Sequence, residues 1–567
     1  MYYYQQRFHT QAADLMKCII AVLLLSGLSV KSQQQKLDPL PTGAVTFKTT
    51  DRKLQSIYEM AERRCLSNIK DFKNYKVLIE GASYPFVWLE TQPMGGEMYA
   101  KRNVEVAKNN QVIFMDHQRA DGRLPGMISF QSNILHPHYG WLQGFCFPEP
   151  ALNMYYWLNQ DKSYLNQLYI CLAKFDSYLW RTRDSDGNGC LESWCVYDTG
   201  EDNSIRLDGA PLEWNQEFAP NKLLIKNSRE EIQNPKDILV IPVPMESMDV
   251  MSYSYSARIV LSRISQILND GKSSFWQNKA KQVKDKIKSY LWEPGKSACY
   301  DRNSENKMMD ILLSNNIRCM YYGSFDQEMA DSFIKKHLLN PKEFWTPMPL
   351  PSIAVNDPAF RNVENNNWSG QPQGLTFQRA IKALENYHHN AEVILIGRRL
   401  ISALKQNFKF TQQFDPFTGK ANNSPDGYGP TVLAVLEYIT RMYGIQYEEN
   451  TISWSGLSSA KDSTWYEQKI NGHSYQLYVT GNNMSAFIND RQIFQCSSNI
   501  RCVTGINGDF LSIVGIDSLE RDVKLSIINS KNFRLKIRPN CKYAVNSKGR
   551  MVMKKRTPFS LFIADNN

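Results

Sequence analysis

Two different periodicities, which meet near Gly444, limit what this chain can fold into. From about residue 50 to 448, apolar residues recur at the three-and-four spacing of amphipathic helices. After Gly444, short alternating segments are bounded by turn pairs such as Asn471-Gly472 and Lys548-Gly549, which is typical of antiparallel hairpins. The sequence therefore predicts a helical region followed by a β-rich region.

The helical region is predicted to be an all-α toroid or bundle, because ten or more helices follow one another without intervening strands. The predicted helices lie at 54–70, 96–112, 150–158, 163–181, 253–268, 273–292, 326–337, 377–387, 391–406 and 430–443. Residues 33–450 are assigned to this domain. Residues 451–567 are predicted to form a β-sandwich, and because it contains no chemical motif, we expect it to serve as a lid or buttress.

The N-terminal segment contains a short apolar run at residues 18–30. It is too short to span a membrane comfortably and has the length of a signal-peptide core. Met16 is the predicted start, residues 1–32 the signal region, and the mature protein is expected to be periplasmic or secreted. No later stretch approaches the roughly 20 apolar residues of a spanning helix, so no membrane span is expected.

Charge and cysteine usage exclude several classes of protein. The formal net charge is +10, but it is not concentrated in a basic run, so nucleic-acid binding is not indicated. Cys190/Cys195 and Cys496/Cys502 are close enough in sequence to pair, yet none has zinc-ligand spacing, and single buried thiols are expected. With no phosphate-cradling glycine loop either, no metal and no cofactor are predicted.

The stretch richest in chemical groups is Arg183-Asp-Ser-Asp-Gly-Asn-Gly189, which follows a predicted helix. Asp184, Asp186 and Asn188 imitate the opening of a calcium loop, but the twelfth position is Cys195, where a bidentate Glu is needed. We therefore interpret the stretch as a turn rather than a calcium site. Such a turn would deliver the residues that follow it, Glu201-Asp202-Asn203, into a cavity.

The order of these elements resembles the six-hairpin glycosidases of glycoside hydrolase family 63, the bacterial mannosylglycerate hydrolases and, more distantly, the trehalases. The resemblance spans roughly residues 85–445. Besides the Arg-Asp-x-Asp-Gly-Asn-Gly, Glu-x-Trp and Gly-x-Asp-Asn-Ser-x-Arg elements, it rests on Asp121-Gly-Arg-Leu-Pro125, Pro349-Leu-Pro-Ser352 with Asp357-Pro-Ala-Phe360, Asn367-Trp-Ser-Gly-Gln-Pro372 and Phe414-Asp-Pro-Phe-Thr-Gly419.

This resemblance implies an (α/α)6 barrel that hydrolyses a glycosidic bond with inversion. That reaction needs a protonated carboxyl at the leaving oxygen and a carboxylate that activates water, about 6.5–9.5 Å apart. Asp202 matches the family's general acid. Burial beside Glu201 and aromatic walls would keep it protonated. The alternative is that Asp202 caps a helix or pairs with Arg206.

The position that the resemblance assigns to the general base holds an amide, Gln412, which cannot take a proton from water. Losing a catalytic base normally costs a factor of roughly 10²–10⁴ in rate. Either the base has moved, to Glu97, Glu90 or Asp415, or the chain no longer hydrolyses by this route. Glu97 is favoured because a double-glycine loop precedes it; its alternative is a Glu in a first helical turn, stabilised by the helix dipole.

Several other polar and aromatic side chains are expected to bind the substrate. Trp faces stack on sugar rings, and Asn, Gln and Arg bind hydroxyls. The predicted set is Glu90, Trp194, Glu201, Asn203, Arg206, Trp368 and Gln371. Core packing is the alternative for both Trp residues. Asp249 is predicted either to face the cavity or to cap a helix.

Three hypotheses follow for the function. The first is an exo-acting, inverting glycoside hydrolase with a carbohydrate substrate. The second, motivated by Gln412, is a carbohydrate-binding protein descended from such an enzyme. The third is a polysaccharide lyase, since a helical toroid with a β-sandwich also serves β-elimination. The sequence leaves the sugar, the linkage and the oligomeric state open.

Overall fold

The computed structural model describes residues 44–220, 242–364, 368–459, 461–528 and 530–559. The predicted signal region, 1–32, and Asn367 of the resemblance lie outside these ranges. Within them, no helix has the length and apolar character needed to cross a membrane.

Twelve α-helices occur in the described ranges up to Tyr443. Their N-termini are built as the sequence suggests: Asp51 accepts from Leu54 N at 3.0 Å, and Asn103 accepts from Val106 N at 3.1 Å. The helices are α1 Arg52–Ser67, α2 Gln92–Tyr99, α3 Val104–Asp116, α4 Pro148–Trp157, α5 Lys162–Thr182, α6 Met248–Leu268, α7 Ser273–Lys286, α8 Asn315–Tyr321, α9 Gln327–Phe333, α10 Gly374–Glu385, α11 Asn390–Asn407 and α12 Gly429–Tyr443.

The even-numbered helices form a closed inner ring. Each of α2, α4, α6, α8, α10 and α12 contacts the next, and α12 contacts α2. These helices are apolar or buried around most of their circumference, as expected of elements packed on all sides. In α12 every residue from Gly429 to Met442 is buried.

Short strand pairs interrupt the helical region, so the expectation of helices without intervening strands is wrong. β2 (Ile69–Phe72) pairs with β3 (Tyr75–Leu78), and β9 (Trp292–Glu293) pairs with β10 (Ala298–Cys299). Three further strands, β4 (Val87–Trp88), β5 (Met127–Gln131) and β6 (Ile134–His138), form one sheet, and β7 (Glu192–Ser193) pairs with β8 (Met245–Glu246). These are strand pairs in the loops between helices. The chain as a whole therefore combines a helical with a β-rich region and is not all-α.

The β-rich region consists of two antiparallel sheets. The seven-stranded sheet has the order β1-β13-β14-β15-β16-β19-β20, and the six-stranded sheet has the order β11-β12-β17-β18-β21-β22. The bounds are β1 Val45–Thr49, β11 Ile445–Glu448, β12 Thr451–Gly456, β13 Ser463–Ile470, β14 His473–Thr480, β15 Asn483–Ile488, β16 Arg491–Ser497, β17 Ile500–Gly505, β18 Phe510–Gly515, β19 Arg521–Ile527, β20 Asn532–Ile537, β21 Lys542–Val545 and β22 Met551–Lys555.

The first strand of the chain joins the last region. β1 precedes every helix, yet its residues Val45 to Thr49 pair with Gln468 to Thr464 of β13. The Asn471-Gly472 turn connects β13 and β14, and both residues have positive φ, as a tight hairpin requires. The ten cysteines in the described ranges are free and buried, and Cys496 Sγ lies 3.7 Å from Cys502 Sγ.

Candidate active site

The loop after β7 is held in place by the buried carboxylate of Asp198. It accepts from Leu142 N at 2.8 Å and from Trp194 N at 2.7 Å, and it forms an ion pair with Arg183. Because Asp198 has its polar contacts on three different segments, it fixes the start of the turn that leads to residues 199–206.

The turn itself depends on Gly200. Its φ is +72°, and a Cβ at this position would lie 2.2 Å from Glu90 Oε2. Glu90, in the loop before α2, also accepts from Gln143 Nε2 at 3.0 Å and from Arg379 Nη2 at 2.8 Å. A side chain at residue 200 would therefore collide with a buried, ion-paired carboxylate, and only glycine allows the turn to pass this close.

Beneath the turn lies a buried network of ion pairs centred on Arg206. Its guanidinium bonds to Glu201 Oε2 at 2.8 Å and to Asp249 Oδ2 at 2.9 Å, and it also pairs with Asp301. Arg318 adds a second positive charge, 2.9 Å from Glu201 Oε1. The negative charge of Glu201 is thus compensated by two arginines. Asp249 belongs to the same network and lies in the first turn of α6, whose cap is Ser247.

Asp202 follows Glu201 but is partly exposed. Its charge acts on three neighbours. Burial raises the pKa of Tyr197, and Asp202 raises it further. Burial raises the pKa of Tyr84, to which the charges of Glu80 and Asp202 add. Asp202 is therefore within electrostatic range of two tyrosines and of the carboxyl of Glu80.

Glu80 is a buried carboxyl in the turn after β3. Burial raises its pKa well above the usual value, the charges of Glu90 and Asp202 add to that effect, and a hydrogen bond from Tyr428 opposes it. Its backbone is clamped as well, because Glu80 O accepts from Gly429 N at 2.6 Å. Glu80 is thus a carboxyl that favours its protonated form, close to Asp202.

Gln412, at the position of the predicted base, lies beside Tyr84. Its Oε1 accepts a hydrogen bond from the Tyr84 hydroxyl at 3.1 Å. Asp415, a few residues further on, instead caps the following turn by accepting from Thr418 N at 2.8 Å and from Phe417 N at 3.0 Å. The structure therefore brings Asp202, Glu80, Tyr84 and Gln412 together.

Aromatic side chains form a wall beside this group. The Trp141 and Tyr197 rings meet edge to face with centroids 5.4 Å apart, and the Phe86 and Trp88 rings do so at 5.7 Å. Trp88 and Trp141 are buried, and in the described part of the chain neither indole N–H has a hydrogen-bond partner. An aromatic surface of this kind suits the apolar face of a sugar.

Glu97 lies elsewhere. It is in the sixth position of α2 and lines a separate cavity of about 50 Å³ with Lys101, Glu437 and Lys382. Burial and then the charge of Glu437 raise its pKa to about 7. The structure does not bring Glu97 together with Asp202.

The double glycine before Glu97 serves packing, not a ligand. Both glycines lie inside α2, and a Cβ on Gly96 would lie 2.6 Å from Asn110 Cβ of α3. A Cβ on Gly95 would lie 2.9 Å from Leu433 Cδ1 of α12. The absence of side chains lets three helices approach one another closely.

Of the remaining predicted substrate-binding residues, three are buried and one is exposed. Trp194 is 2% exposed, donates to Glu192 Oε2 at 2.6 Å and stacks on Arg183, so it packs in the core. Trp368 is buried beneath Arg318, whose Cζ is 5.4 Å from the ring centroid. Gln371 is buried and donates to Asn362 Oδ1 at 3.0 Å. Asn203 is exposed, and its φ of 149° belongs to the turn.

Sequence reasoning missed Glu80, Tyr84, Trp141, Arg318 and Arg379. Arg318 and Arg379 lie in α8 and α10 at positions that are buried in the ring, and a charged residue amid an apolar helical stripe was the signal that could have found them. For Glu80 the signal was a Glu between a strand and a glycine with positive φ, Gly81.

Comparison with known proteins identifies the family of the chain. Residues 90–429, more than half of the chain, match the family model described as the mannosylglycerate hydrolase MGH1-like glycoside hydrolase domain. The structure of a family 63 mannosylglycerate hydrolase from Thermus thermophilus in complex with glucose superposes with a TM-score of 0.54 at 16% identity, covering 68% of this chain and 99% of that one.

Two larger structures also share the fold. A sialidase superposes with a TM-score of 0.60 at 13% identity, over 81% of this chain and 41% of its own. A family 78 rhamnosidase from a Bacillus species superposes with a TM-score of 0.54 at 9% identity, over 79% of this chain and 41% of its own. At these identities the structural likeness concerns the fold, while the family model identifies the sequence. The chain therefore belongs to the mannosylglycerate hydrolase MGH1-like family of glycoside hydrolases.

Proposed function

We propose that this protein hydrolyses an O-glycosidic bond of an oligosaccharide or small glycoside, with inversion, and that Asp202 is the general acid. The observation that carries the proposal is that Asp202 is partly exposed, lies within electrostatic range of Glu80, Tyr84 and Tyr197, and directly follows Glu201 of the buried ion-pair network. The ring of inner helices, with the other six outside it, supports an (α/α)6 toroid as the scaffold.

Glu80 is proposed as the second carboxyl of the reaction. Two nearby carboxyls bind their first proton readily and their second only at lower pH, so the pair holds one proton and one negative charge over a broad pH range. That is the ionisation state that inverting hydrolysis requires. Asp202 is assigned to the leaving oxygen because it matches the family's acid. Burial favours the shared proton on Glu80 in the free protein, so the proposed reaction begins with transfer of that proton to Asp202, after which Glu80 takes the proton of the attacking water.

Gln412 and Tyr84 are assigned to water positioning. The hydroxyl of Tyr84 donates to Gln412 Oε1, so the amide orientation is set, and the amide can hold a water that it cannot deprotonate. The aromatic wall of Trp88, Trp141 and Tyr197 is the proposed binding surface for the sugar. The ion-pair network fills the space below the turn, which favours action on a chain end.

The test begins with a panel of glycosides that includes mannosylglycerate, followed by Asp202→Asn and Glu80→Gln on the best substrate. Each variant is expected to lose a factor of about 10²–10⁴ in kcat. The two roles can be distinguished with a 2,4-dinitrophenyl glycoside, because its leaving group, 2,4-dinitrophenolate, departs without protonation. Asp202→Asn should recover at least about tenfold of its loss on that substrate, and Glu80→Gln should not. Circular dichroism checks the fold of both.

Two results would contradict the proposal. Unchanged turnover in Asp202→Asn removes the general-acid assignment. Binding of sugars without turnover anywhere in the panel selects a carbohydrate-binding protein, the candidate that Gln412 favours.

Export to the periplasm or medium is proposed from the apolar run at residues 18–30. N-terminal sequencing of the protein from fractionated cells tests it, with residue 33 the expected mature start.

A further inference from the structure

The cavity that contains Glu97 lies at the C-terminal ends of the inner helices. Glu90 comes just before α2 and Glu97 lies in its last turn, so this cavity and the residues around Asp202 are at different ends of the ring. The volume of the cavity is about 50 Å³. One buried water takes up roughly 10–15 Å³ of such a volume, so there is room for about three or four. The last turns of five inner helices line it, at Glu97, Trp157, Tyr321, Lys382 and Arg441.

The carboxyl of Glu97 has no partner of opposite charge in the described part of the chain. It forms neither an ion pair nor a hydrogen bond there. Lys101, which also lines the cavity, pairs with Glu437 at 2.5 Å. Arg441 pairs with Glu437 as well, and with Glu385 at 3.3 Å. The cations on this side of the cavity are thus bound to other carboxylates.

Carboxylates outnumber cations around the cavity. Lys382 pairs with Glu448 at 2.6 Å and lies 4.0 Å from Glu149. Arg263, outside the cavity, pairs with Glu149 at 3.0 Å and with Glu449. These carboxylates therefore have partners, so the charge of Glu97 is the uncompensated one among those that line the cavity. The lining carboxylates are Glu97, Glu149, Glu437, Glu448 and Glu449, and the lining cations are Lys101, Lys382 and Arg441.

The rest of the cavity wall offers a free acceptor and an aromatic surface. Asn153 Oδ1, in α4, is buried and has no hydrogen-bond partner within the described ranges. Trp157 and Tyr447 meet edge to face with ring centroids 4.9 Å apart, and Met94 and Met98 add further apolar atoms. Aromatic rings attract cations as well as apolar groups.

These groups suit an organic ammonium ion better than a metal ion. Calcium takes six to eight oxygen ligands, and magnesium requires octahedral geometry, so the free oxygen atoms of Glu97 and Asn153 are too few for either. An alkylammonium ion instead donates N–H bonds to a small number of acceptors and places its carbon atoms against rings. The C-terminal ends of helices carry a partial negative charge, which also favours a cation here.

We propose that this cavity binds a small alkylammonium ion, with its charge paired to Glu97 and an N–H group donating to Asn153 Oδ1. The aromatic rings of the cavity contact its alkyl part. The ion enters past β11, where the side chains of Glu448 and Glu449 are 42% and 44% exposed. The site is apart from Asp202, and the ion binds there whatever reaction the protein catalyses.

The test titrates the full-length protein with propylammonium chloride at pH 8, where Glu97 is ionised because its pKa is about 7. Calorimetry should show one ion per chain with a Kd of about 10⁻⁴–10⁻² M, a range that suits so small a ligand. At about ten times this Kd, the thermal midpoint should rise by about 1 °C or more. 1-Propanol, which is similar in shape but uncharged, and NaCl at the same concentration should change the midpoint less.

Variants locate the bound ion. Glu97→Gln, which keeps the shape and removes the charge, should weaken binding at least about tenfold. Asn153→Leu, which removes the amide oxygen, should weaken it as well. Glu105→Gln is the matched control, because it makes the same change at an exposed residue outside the cavity. Asp202→Asn should bind as the wild type does, which separates this site from the carboxyls near Asp202.

Proton release gives a second readout that identifies Glu97. At pH 7 a bound cation favours the ionised carboxylate, so the wild type should release part of a proton on binding, whereas Glu97→Gln should release none. Calorimetry in two buffers with different ionisation enthalpies measures this release.

Three results would overturn the proposal. The first is the absence of binding heat and of any midpoint change in the wild type. The second is unchanged affinity in both Glu97→Gln and Asn153→Leu, and the third is loss of binding in Asp202→Asn, which would place the ion near the proposed general acid. If Glu97→Gln fails to fold, proton release by the wild type and the affinity of Asn153→Leu still decide the question.

Discussion

The Tyr84 hydroxyl donates a hydrogen bond to Oε1 of Gln412, at 3.1 Å, beside Asp202. The oxygen of the amide thus receives a contact that a glutamate carboxylate would receive equally well, because Gln and Glu have the same shape and Tyr84 needs only an acceptor. A glutamate at residue 412 would therefore find this contact already in place. The proposed assignment of Glu80 as the base can be tested through this contact.

We predict that Gln412→Glu rescues a variant that lacks the Glu80 carboxylate. Glu80→Gln alone should lose a factor of about 10²–10⁴ in kcat, as expected for a missing general base. Adding Gln412→Glu should restore at least about tenfold of that loss, since it places a carboxylate next to the bound water. Steady-state kinetics of the single and double variants measure the effect. A double variant no more active than Glu80→Gln would contradict the assignment of Glu80.

The buried carboxyl of Glu97 should make the protein less stable as the pH rises through neutrality. Burial and then Glu437 raise its pKa to about 7, above the value near 4.3 of an unfolded chain. Between about pH 4.3 and about pH 7, the folded state therefore keeps a proton on Glu97 that the unfolded state has released. The stability that this provides is fully present below about pH 4.3 and is lost as the pH rises to about 7.

The corresponding variant is Glu97→Gln, which is neutral at every pH and similar in shape. The thermal midpoint of the variant minus that of the wild type should be larger at pH 8 than at pH 5. Differential scanning fluorimetry across this range measures the difference. Glu105→Gln is a suitable control, because Glu105 lies in the first turn of α3 and is not among the residues that line the Glu97 cavity. A constant offset between wild type and Glu97→Gln would count against the mechanism.

The outline of the fold was predictable because it depends on local periodicity. The amphipathic pattern of residues 257–268 gave the C-terminal half of α6, and the Asn471-Gly472 pair gave the β13–β14 hairpin. The helix predicted at 96–112 is in fact α2 and α3, since Asn103 caps a new helix within it. The helix α8 was missed because seven residues are too few to show a period.

The site was predictable only where residues lie near one another in sequence. Asp202, Glu201 and Arg206 could be placed together, whereas Glu80 reaches Asp202 across more than a hundred residues. The same limit applies to Glu192 and Glu246, which the pairing of β7 with β8 brings opposite each other across more than fifty residues. Tertiary packing sets contacts of this kind, and no spacing within a short stretch of sequence indicates them.

Arg206 should be the residue on which the turn at residues 199–206 most depends. It is 2% exposed and bonds to Glu201, Asp249 and Asp301, which belong to three different segments. Arg206→Met leaves their charges buried with too little compensation, and the loss of one partner from a buried ion-pair network typically costs about 3–5 kcal/mol. The thermal midpoint should fall by about 5 °C or more.

A lysine cannot replace this arginine, because an ammonium lacks the planar fork that bonds several carboxylates at once. Arg206→Lys is therefore expected to be intermediate in stability and to lose activity, since Glu201 is the neighbour of Asp202 in the turn. Lys281→Met, which breaks an exposed pair with Asp285, should change the midpoint little and controls for loss of a positive charge. Urea and thermal unfolding, with kcat on the same preparations, distinguish the two effects. An Arg206→Met variant as stable as Lys281→Met would show that the network does not hold the turn.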